Sequence, residues 1–458
     1  MNKIAKRTIL ALILAAVLVT GMSVIILRYL ISSGDWVTAQ NSPHVYSDGV
    51  MNCGVVQDRN GTTVLDATNG KEYAESASAR KSMLHLLGDR EGNVSPFIMA
   101  EYGEKMIGFD RFNGVYSYGE AVGTMKLTVS AEVQRTALAA LDGRKGIVGV
   151  YNYRTGEILC MVSSPTFDPD NVPDVVGNPE KYDGVYVNRF LHSTYTPGSV
   201  FKVVTAAAAL EQIDDIDERT FFCEGEVVLK GETLVCNGVH GEQTFEEALA
   251  NSCNVAFGEL AAQLGPEVLT DYAKKAGVLS RISFDGTKTA AGNFDLTDAA
   301  VYEGAWAGIG QYTDQINPCQ YMTFMGAVAN KGVAAKPYLV EEIYFGESRK
   351  YSASVQTLPT MLRSETADRL AEMMHYAVEE VYGNWHFSGM YAGAKSGTAE
   401  VGNGQEPHAL FAGFVQDEDY PLAFIVIVEN GGGGSSVCAP IISKVLDACV
   451  VAMDIADS

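Results

Sequence analysis

Positive charge is in short supply. The 458 residues carry 33 Lys+Arg against 56 Asp+Glu, a formal charge of -23 at pH 7. A phosphate backbone needs a basic face, so nucleic acid is not an expected partner. The acidity itself speaks for solubility rather than for a substrate. Histidine is sparse, with seven in the chain. None sits in a setting that suggests a Ser-His pair, and His408, just ahead of the apolar residues 409–415, reads as structural. Eight cysteines in a chain of this length do not make a disulfide framework, and no Cys/His spacing reads as a zinc site. Cys160, Cys319 and Cys449 have apolar sequence neighbours and read as small core residues. Cys223 and Cys236 flank an expected hairpin. Either they pair, in a bridge that contributes roughly 3 kcal/mol by loop closure, or they are two reduced, partly buried thiols. Internal repeats are lacking, and the glycines of residues 431–434 are the one low-complexity piece. Long apolar runs are lacking too, with one exception.

That exception is at the N-terminus. Lys3, Lys6 and Arg7 precede an uncharged run over residues 9–27, closed by Arg28. As a helix the run spans roughly 28 Å, against the ~30 Å hydrocarbon core of a bilayer. A cleaved signal peptide would have a shorter apolar region followed by a small-x-small site, whereas here Arg28-Tyr29-Leu30-Ile31 follows. The reading is an uncleaved single-pass anchor. Its cationic stub favours the cytoplasm, which puts nearly everything after residue 30 outside. The Ala-rich residues 203–210 are too few to cross a bilayer and read as a buried helix.

With 47% hydrophobic and 9% aromatic residues the remainder can build a sizeable core, and its length suggests two or three domains. Residues 35–125 are polar and mixed, apart from Gly54-Val55-Val56-Gln57-Asp58-Arg59-Asn60-Gly61, an apolar strand running into an Asn-Gly turn. They read as a small extracytoplasmic pedestal between an anchor (residues 1–34) and a main domain (residues 126–458). In the main domain, residues 125–129 alternate like a strand and Ser130 caps a helix to Leu141. Residues 146–153 and 157–163 form a hairpin around Arg154-Thr155-Gly156, residues 410–415 and 422–428 form a second, and residues 439–452 form an amphipathic closing helix. Strands from both ends with helices between them imply an α+β domain, a mainly antiparallel sheet covered by helices.

Three clusters carry chemistry. In Tyr195-Thr196-Pro197-Gly198-Ser199-Val200-Phe201-Lys202, Pro and Gly break the preceding chain and an Ala-rich helix follows. Ser199 is therefore expected at a helix N-terminus, where backbone N–H groups favour an oxyanion. Lys202 lies one turn on, on the same face; buried there, it can lose its proton and act as base for the hydroxyl. A second Ser-x-x-Lys, Ser78-Ala79-Arg80-Lys81, has a charged setting without a Pro-Gly break and reads as a solvated surface stretch. Ser252-Cys253-Asn254 is the only Ser-x-Asn in the chain. Its hydroxyl can relay a proton and its amide can hold a substrate amide; by itself it reads rather as a polar connection between helices. Lys395-Ser396-Gly397-Thr398 offers a cation, hydroxyls and a glycine on a strand, suited to the close approach of a carboxylate-bearing peptide.

In this order the three motifs resemble those of penicillin-binding proteins and β-lactamases, and the chain resembles the class B penicillin-binding proteins, the monofunctional transpeptidases of elongation and division. The likeness covers roughly residues 120–450. It includes residues 134–141 and 146–165, Ser163-Ser164-Pro165-Thr166-Phe167-Asp168-Pro169, Asn188-Arg189, Ile309-Gly310-Gln311, Pro318 and residues 408–414. Ser396 stands where Thr is commoner, which keeps the hydroxyl, and the pedestal is short, which leaves open which partner it docks on. The resemblance implies a transpeptidase fold and a peptidoglycan D,D-transpeptidase with no metal or organic cofactor. Ser199 would be the nucleophile and Lys202 its base. Ser252, with Lys395 nearby, would relay the proton, and Asn254 would hold the substrate amide. Ser396, Gly397 and Thr398 would bind the D-Ala-D-Ala stem peptide, and β-lactams at the same place. A SEDS-type glycan polymerase at the cytoplasmic membrane is the implied protein partner. The rival readings are a carboxypeptidase or β-lactamase, and a non-catalytic β-lactam sensor or scaffold. The anchor and pedestal argue against a β-lactamase. The single span and the intact motifs argue against a sensor or a degenerate scaffold.

Overall fold

The computed structural model describes residues 2–37, 46–47, 50–68, 70–109, 112, 122–402 and 404–457. The expected anchor is one helix, Asn2–Val37. Its stretch Lys3–Ser33 is long and apolar enough to cross a membrane, and none of its most apolar window is buried against the rest of the chain. Part of the region expected as a pedestal, including residues 38–45 and 113–121, lies outside the described residues.

The Asn-Gly turn forms as expected. Strand Gly54–Gln57 returns as Thr63–Ala67. The Asp58 carboxylate accepts the N–H groups of Asn60 and Thr62 (3.0 and 2.8 Å), and its other oxygen accepts that of Ala131 (2.9 Å), the first residue of helix Ala131–Leu141. One buried acid therefore ties the hairpin to the main domain. The sheet does the same. Its order is Ser348–Ser352, Val340–Phe345, Gly123–Leu127, Gly54–Gln57, Thr63–Ala67, Glu72–Tyr73, so strands from before and after residue 126 share one hydrogen-bonded sheet.

The second sheet is antiparallel throughout: Ala392–Ala399, His408–Val415, Leu422–Val428, Gly146–Asn152, Ile158–Ser164. Both hairpins read from the sequence are in it, and so is the Lys395-Ser396-Gly397-Thr398 motif. Successive side chains point to opposite faces of a strand, and both faces here are apolar. Ile147, Leu410, Ala412, Ile425 and Ile427 join the core shared with helix Lys202–Gln212 and helix Pro318–Ala329. Val148, Val150, Phe411, Phe424, Val426 and Val428 join the core under Ala131–Leu141 and the closing helix Gly434–Asp457. That closing helix is long and apolar, but it is half buried against the sheet as a core element.

Candidate active site

Pro197 leads into one 3-10 turn, Gly198–Phe201, which passes into helix Lys202–Gln212. In a 3-10 turn residues i and i+3 eclipse each other, and this local tightening brings Lys202 Nζ to 2.9 Å from Ser199 Oγ. The turn is held from behind: Tyr321 Oη donates to the Val200 carbonyl (2.6 Å), and the Gly198 N–H donates to the Gly310 carbonyl (2.8 Å). Gly198 has φ 54, and a Cβ there would lie 2.6 Å from the Thr398 carbonyl. A Cβ on Gly397 would lie 2.8 Å from the Pro197 carbonyl. The Gly198–Phe201 turn and the Lys395 strand meet backbone to backbone, which only glycine permits.

The second motif sits where helix Phe245–Ala250 gives way to Asn254–Lys275. Ser252 is in the left-handed region, at φ 57, and this turns the motif toward Lys202. Lys202 Nζ is 2.8 Å from the Ser252 carbonyl, 2.7 Å from Asn254 Oδ1 and 3.2 Å from Ser252 Oγ. A neutral amine has two N–H groups and one lone pair. The two N–H groups suit the two carbonyl oxygens, which leaves the lone pair for one hydroxyl proton, and Ser199 Oγ is the nearer hydroxyl. Burial, and then the positive charge of Lys395, pushes the Lys202 amine well below the usual lysine range, so the free-base form fits this environment.

The third motif lies on Ala392–Ala399. Lys395 is fully buried, and burial pushes its amine down to about 7. It donates to Tyr382 Oη (3.2 Å) and to the Ser396 carbonyl (3.0 Å). Tyr382 Oη also receives the Ser396 N–H and hydroxyl (3.2 and 3.1 Å). Tyr382 thus fixes the motif from beneath. No pattern in the sequence marks it, because it reaches the strand from the chain end of helix Ser364–Ala377 and the turn after it.

Ser199, Ser252, Asn254, Ser396 and Thr398 line one cleft of about 360 Å3, together with Cys236, Asn237, Trp306 and Glu400. Lys202 and Lys395 lie buried behind it, and Gly397 is the backbone contact between two of its walls. All eight positions expected from the sequence are brought together. Chemically the cleft offers a hydroxyl nucleophile with an amine base, a second hydroxyl touching the same amine, and a strand edge with a cation behind it. This arrangement suits acyl transfer.

The two decoys lie elsewhere. Ser78-Ala79-Arg80-Lys81 is on helix Ala77–Leu87, where Arg80 pairs with Asp168 at 2.7 Å. Arg154-Thr155-Gly156 is the hairpin turn, with Arg154 and Thr155 N–H groups on Asn152 Oδ1. His408 Nδ1 accepts the Asn430 N–H at 3.0 Å, a structural contact. All eight cysteines are free, so of the two readings of Cys223 and Cys236 the reduced one holds. Cys223, Cys236, His240 and Cys253, which no spacing in the sequence grouped, converge in space. Their pattern, Cys-x12-Cys-x3-His-x12-Cys, is longer than the short-range ligand pairs a sequence scan looks for.

The family described as "Penicillin binding protein transpeptidase domain" matches residues 146–447. The Stage V sporulation protein D of Bacillus subtilis is 30% identical over 399 residues, 82% of this chain but 58% of that protein. The peptidoglycan D,D-transpeptidase PbpA of Mycolicibacterium smegmatis is 29% identical over 352 residues, 70% of this chain and 71% of that one. Among solved structures, the D,D-transpeptidase domain of a peptidoglycan glycosyltransferase from Eggerthella lenta is 26% identical. It superimposes with a TM-score of 0.74 over 87% of this chain and 98% of that one.

Proposed function

Because the chain belongs to the penicillin-binding protein transpeptidase family, we propose that it is a peptidoglycan D,D-transpeptidase that cross-links stem peptides through an acyl-enzyme on Ser199. The observation that carries this reading is the buried Lys202 amine, in contact with the Ser199 and Ser252 hydroxyls and Asn254 Oδ1 at once.

Lys202 Nζ takes the Ser199 proton as Oγ attacks the penultimate carbonyl of a D-Ala-D-Ala peptide. The backbone N–H groups of Ser199 and Thr398 receive the oxyanion, an interaction worth a few kcal/mol of barrier in ~100-fold or greater rate effects. Ser252 Oγ passes the proton from Lys202 to the leaving amine, the C–N bond breaks, and free D-Ala departs. An amine of a second strand then attacks the ester, and the same groups return the proton to Ser199. Asn254 holds the substrate amide. Ser396 and Thr398 hold the terminal carboxylate, with Lys395 supplying charge beneath. A β-lactam presents the same carbonyl and carboxylate, so it acylates the same serine.

Residues 1–34 act as cytoplasmic stub and single-pass anchor, residues 35–125 as pedestal and residues 126–458 as the catalytic unit outside the cytoplasmic membrane. Cross-linking acts on glycan strands as they are made, and a site tethered at the membrane suits a partnership with a SEDS-type polymerase.

The test is labelling of the detergent-solubilised chain with a fluorescent penicillin, beside Ser199→Ala. The expected result is covalent label on the parent alone, stable for hours. Label on Ser199→Ala would overturn the assignment of the nucleophile. Rapid turnover of the label would replace the transpeptidase by a β-lactamase.

A further inference from the structure

The cleft chemistry leaves a group of thiols unused. Strand Thr220–Cys223 pairs with Gly241–Thr244, and Cys223 stands opposite Gly241. Between these strands a second hairpin, Glu226–Leu229 with Glu232–Val235, leads out and returns the chain at Cys236 and His240. Cys253 arrives from the Ser252-Cys253-Asn254 turn. The four side chains bring one ligand atom each to within 4.8 Å of one another.

Two of the spacings are those of a tetrahedral metal site. Cys236 Sγ is 3.9 Å from Cys253 Sγ and 3.6 Å from His240 Nδ1. A metal at ~2.3 Å from sulfur and ~2.0 Å from nitrogen in a tetrahedron separates two sulfurs by ~3.8 Å and a sulfur from a nitrogen by ~3.5 Å. A disulfide would need its sulfurs at ~2.05 Å. Three thiolates and an imidazole are the soft, closed ligand set of a structural zinc site, without an open position for catalysis. The surrounding contacts fit as well: the Asn254 N–H donates to Cys236 Sγ (3.2 Å) and the Ala256 N–H to Cys253 Sγ (3.4 Å), the backbone bonds that support metal thiolates. Cys223 and Cys253 are buried, while Cys236 lines the cleft and gives an ion its way in.

We propose that Cys223, Cys236, His240 and Cys253 bind one zinc ion, and that this ion fixes the turn carrying Ser252 and Asn254. Each ligating thiol gives its proton to solvent on binding. Ser252 holds φ 57, a conformation serine keeps only where its surroundings impose it. Its neighbour Cys253 is a ligand. Asn254 is tied to the same hairpin through Cys236 Sγ and through its own Nδ2, which donates to the Val235 carbonyl at 3.0 Å. The ion therefore locks the hairpin to the turn and so sets three of the contacts of Lys202. Metal binding stands on the geometry of the four ligands, whereas its effect on acylation rests on the function proposed above.

The experiment uses the full chain in detergent and reducing buffer. Zinc is counted per chain by plasma mass spectrometry, and cobalt(II) replaces it as a spectroscopic probe. The expected result is one zinc per chain and the visible absorption of tetrahedral cobalt-thiolate. Cys223→Ser and His240→Ala, which leave the residues beside the cleft in place, should weaken metal binding at least ~10-fold and slow penicillin acylation about 10- to 100-fold. Chelation of the parent should slow acylation by the same factor, and added zinc should restore it. A folded parent that holds no zinc and takes up none, or a Cys–Cys bridge found by mass spectrometry in reducing buffer, overturns the proposal. Zinc bound at one per chain with no labelling of Ser199 would instead refute the transpeptidase reading and leave the metal site standing. Unchanged acylation in a metal-free chain would remove the positioning role.

Discussion

Replacing Lys202 by Met tests the centre of the mechanism with the least change of shape. The methionine side chain is unbranched and of similar length, so it fills the fully buried slot without strain. What it removes is the only amine in contact with the Ser199 hydroxyl among the described residues. Positioned general-base catalysis contributes typically 10²–10⁴-fold, or about 3–5 kcal/mol of barrier. The second-order rate of penicillin acylation should fall by that factor. Stability moves less, because two effects oppose each other. The Ser252 carbonyl and Asn254 Oδ1 lose their donor, at about 1–3 kcal/mol for a buried unpaired group, while the fold no longer has to dehydrate an amine. The melting temperature should therefore shift by no more than about 5 °C. The assay is fluorescent-penicillin acylation followed in time from acid to alkaline pH, with a thermal melt of each sample. Burial holds Lys202 below the ordinary lysine range, so the parent should keep its rate at neutral pH, where an exposed lysine would be protonated. A folded Lys202→Met variant that acylates within tenfold of the parent would refute the assignment of Lys202 as base.

Two further predictions rest on separate parts of the site. Gly198→Ala forces a Cβ to within 2.6 Å of the Thr398 carbonyl at a residue with φ 54, which must part the nucleophile turn from the Lys395 strand. Acylation should drop about 100-fold, as for a misplacement of ~1 Å, and an unchanged rate would show that the backbone contact is dispensable. Lys395, lowered to about 7 by burial, is charged below that pH and neutral above it. Affinity for carboxylate-bearing substrates, read from the pH profile of kcat/KM, should decline as pH rises through 7. Lys395 in the unfolded chain keeps its proton up to its ordinary value of 10.5. Between the two pH values the unfolded state binds more protons, so this group makes stability rise with pH. Denaturant titrations of the parent and Lys395→Met over that window should differ in slope, and parallel curves would refute the lowered value.

The sequence by itself determined the parts whose physics is local. A cationic stub before an uncharged run marks a helix long enough for a bilayer. A Pro-Gly break before an Ala-rich stretch places Ser199 and Lys202 three residues apart at a helix start, and that spacing alone makes them neighbours. Alternating and continuous apolar residues marked both hairpins of the central sheet, and the spelling of the three motifs in order pointed to one cleft. The tertiary structure decided everything that depends on closing long loops. Whether Lys202 can act as a base depends on complete burial beside Lys395, which comes 193 positions later in the numbering. Tyr382 supports the Lys395 strand from the π-helical turn Val378–Tyr382, which no pattern in the sequence marks. The strands expected as a separate pedestal share a sheet with residues 340–352, because a strand edge pairs with whichever strand the fold presents to it and composition carries no record of that choice. The four ligands at Cys223, Cys236, His240 and Cys253 are the clearest case: two hairpins and a helix junction must fold before they meet. Chain spacing reports ligand sets held on one turn or one helix face, whereas this set is made by packing.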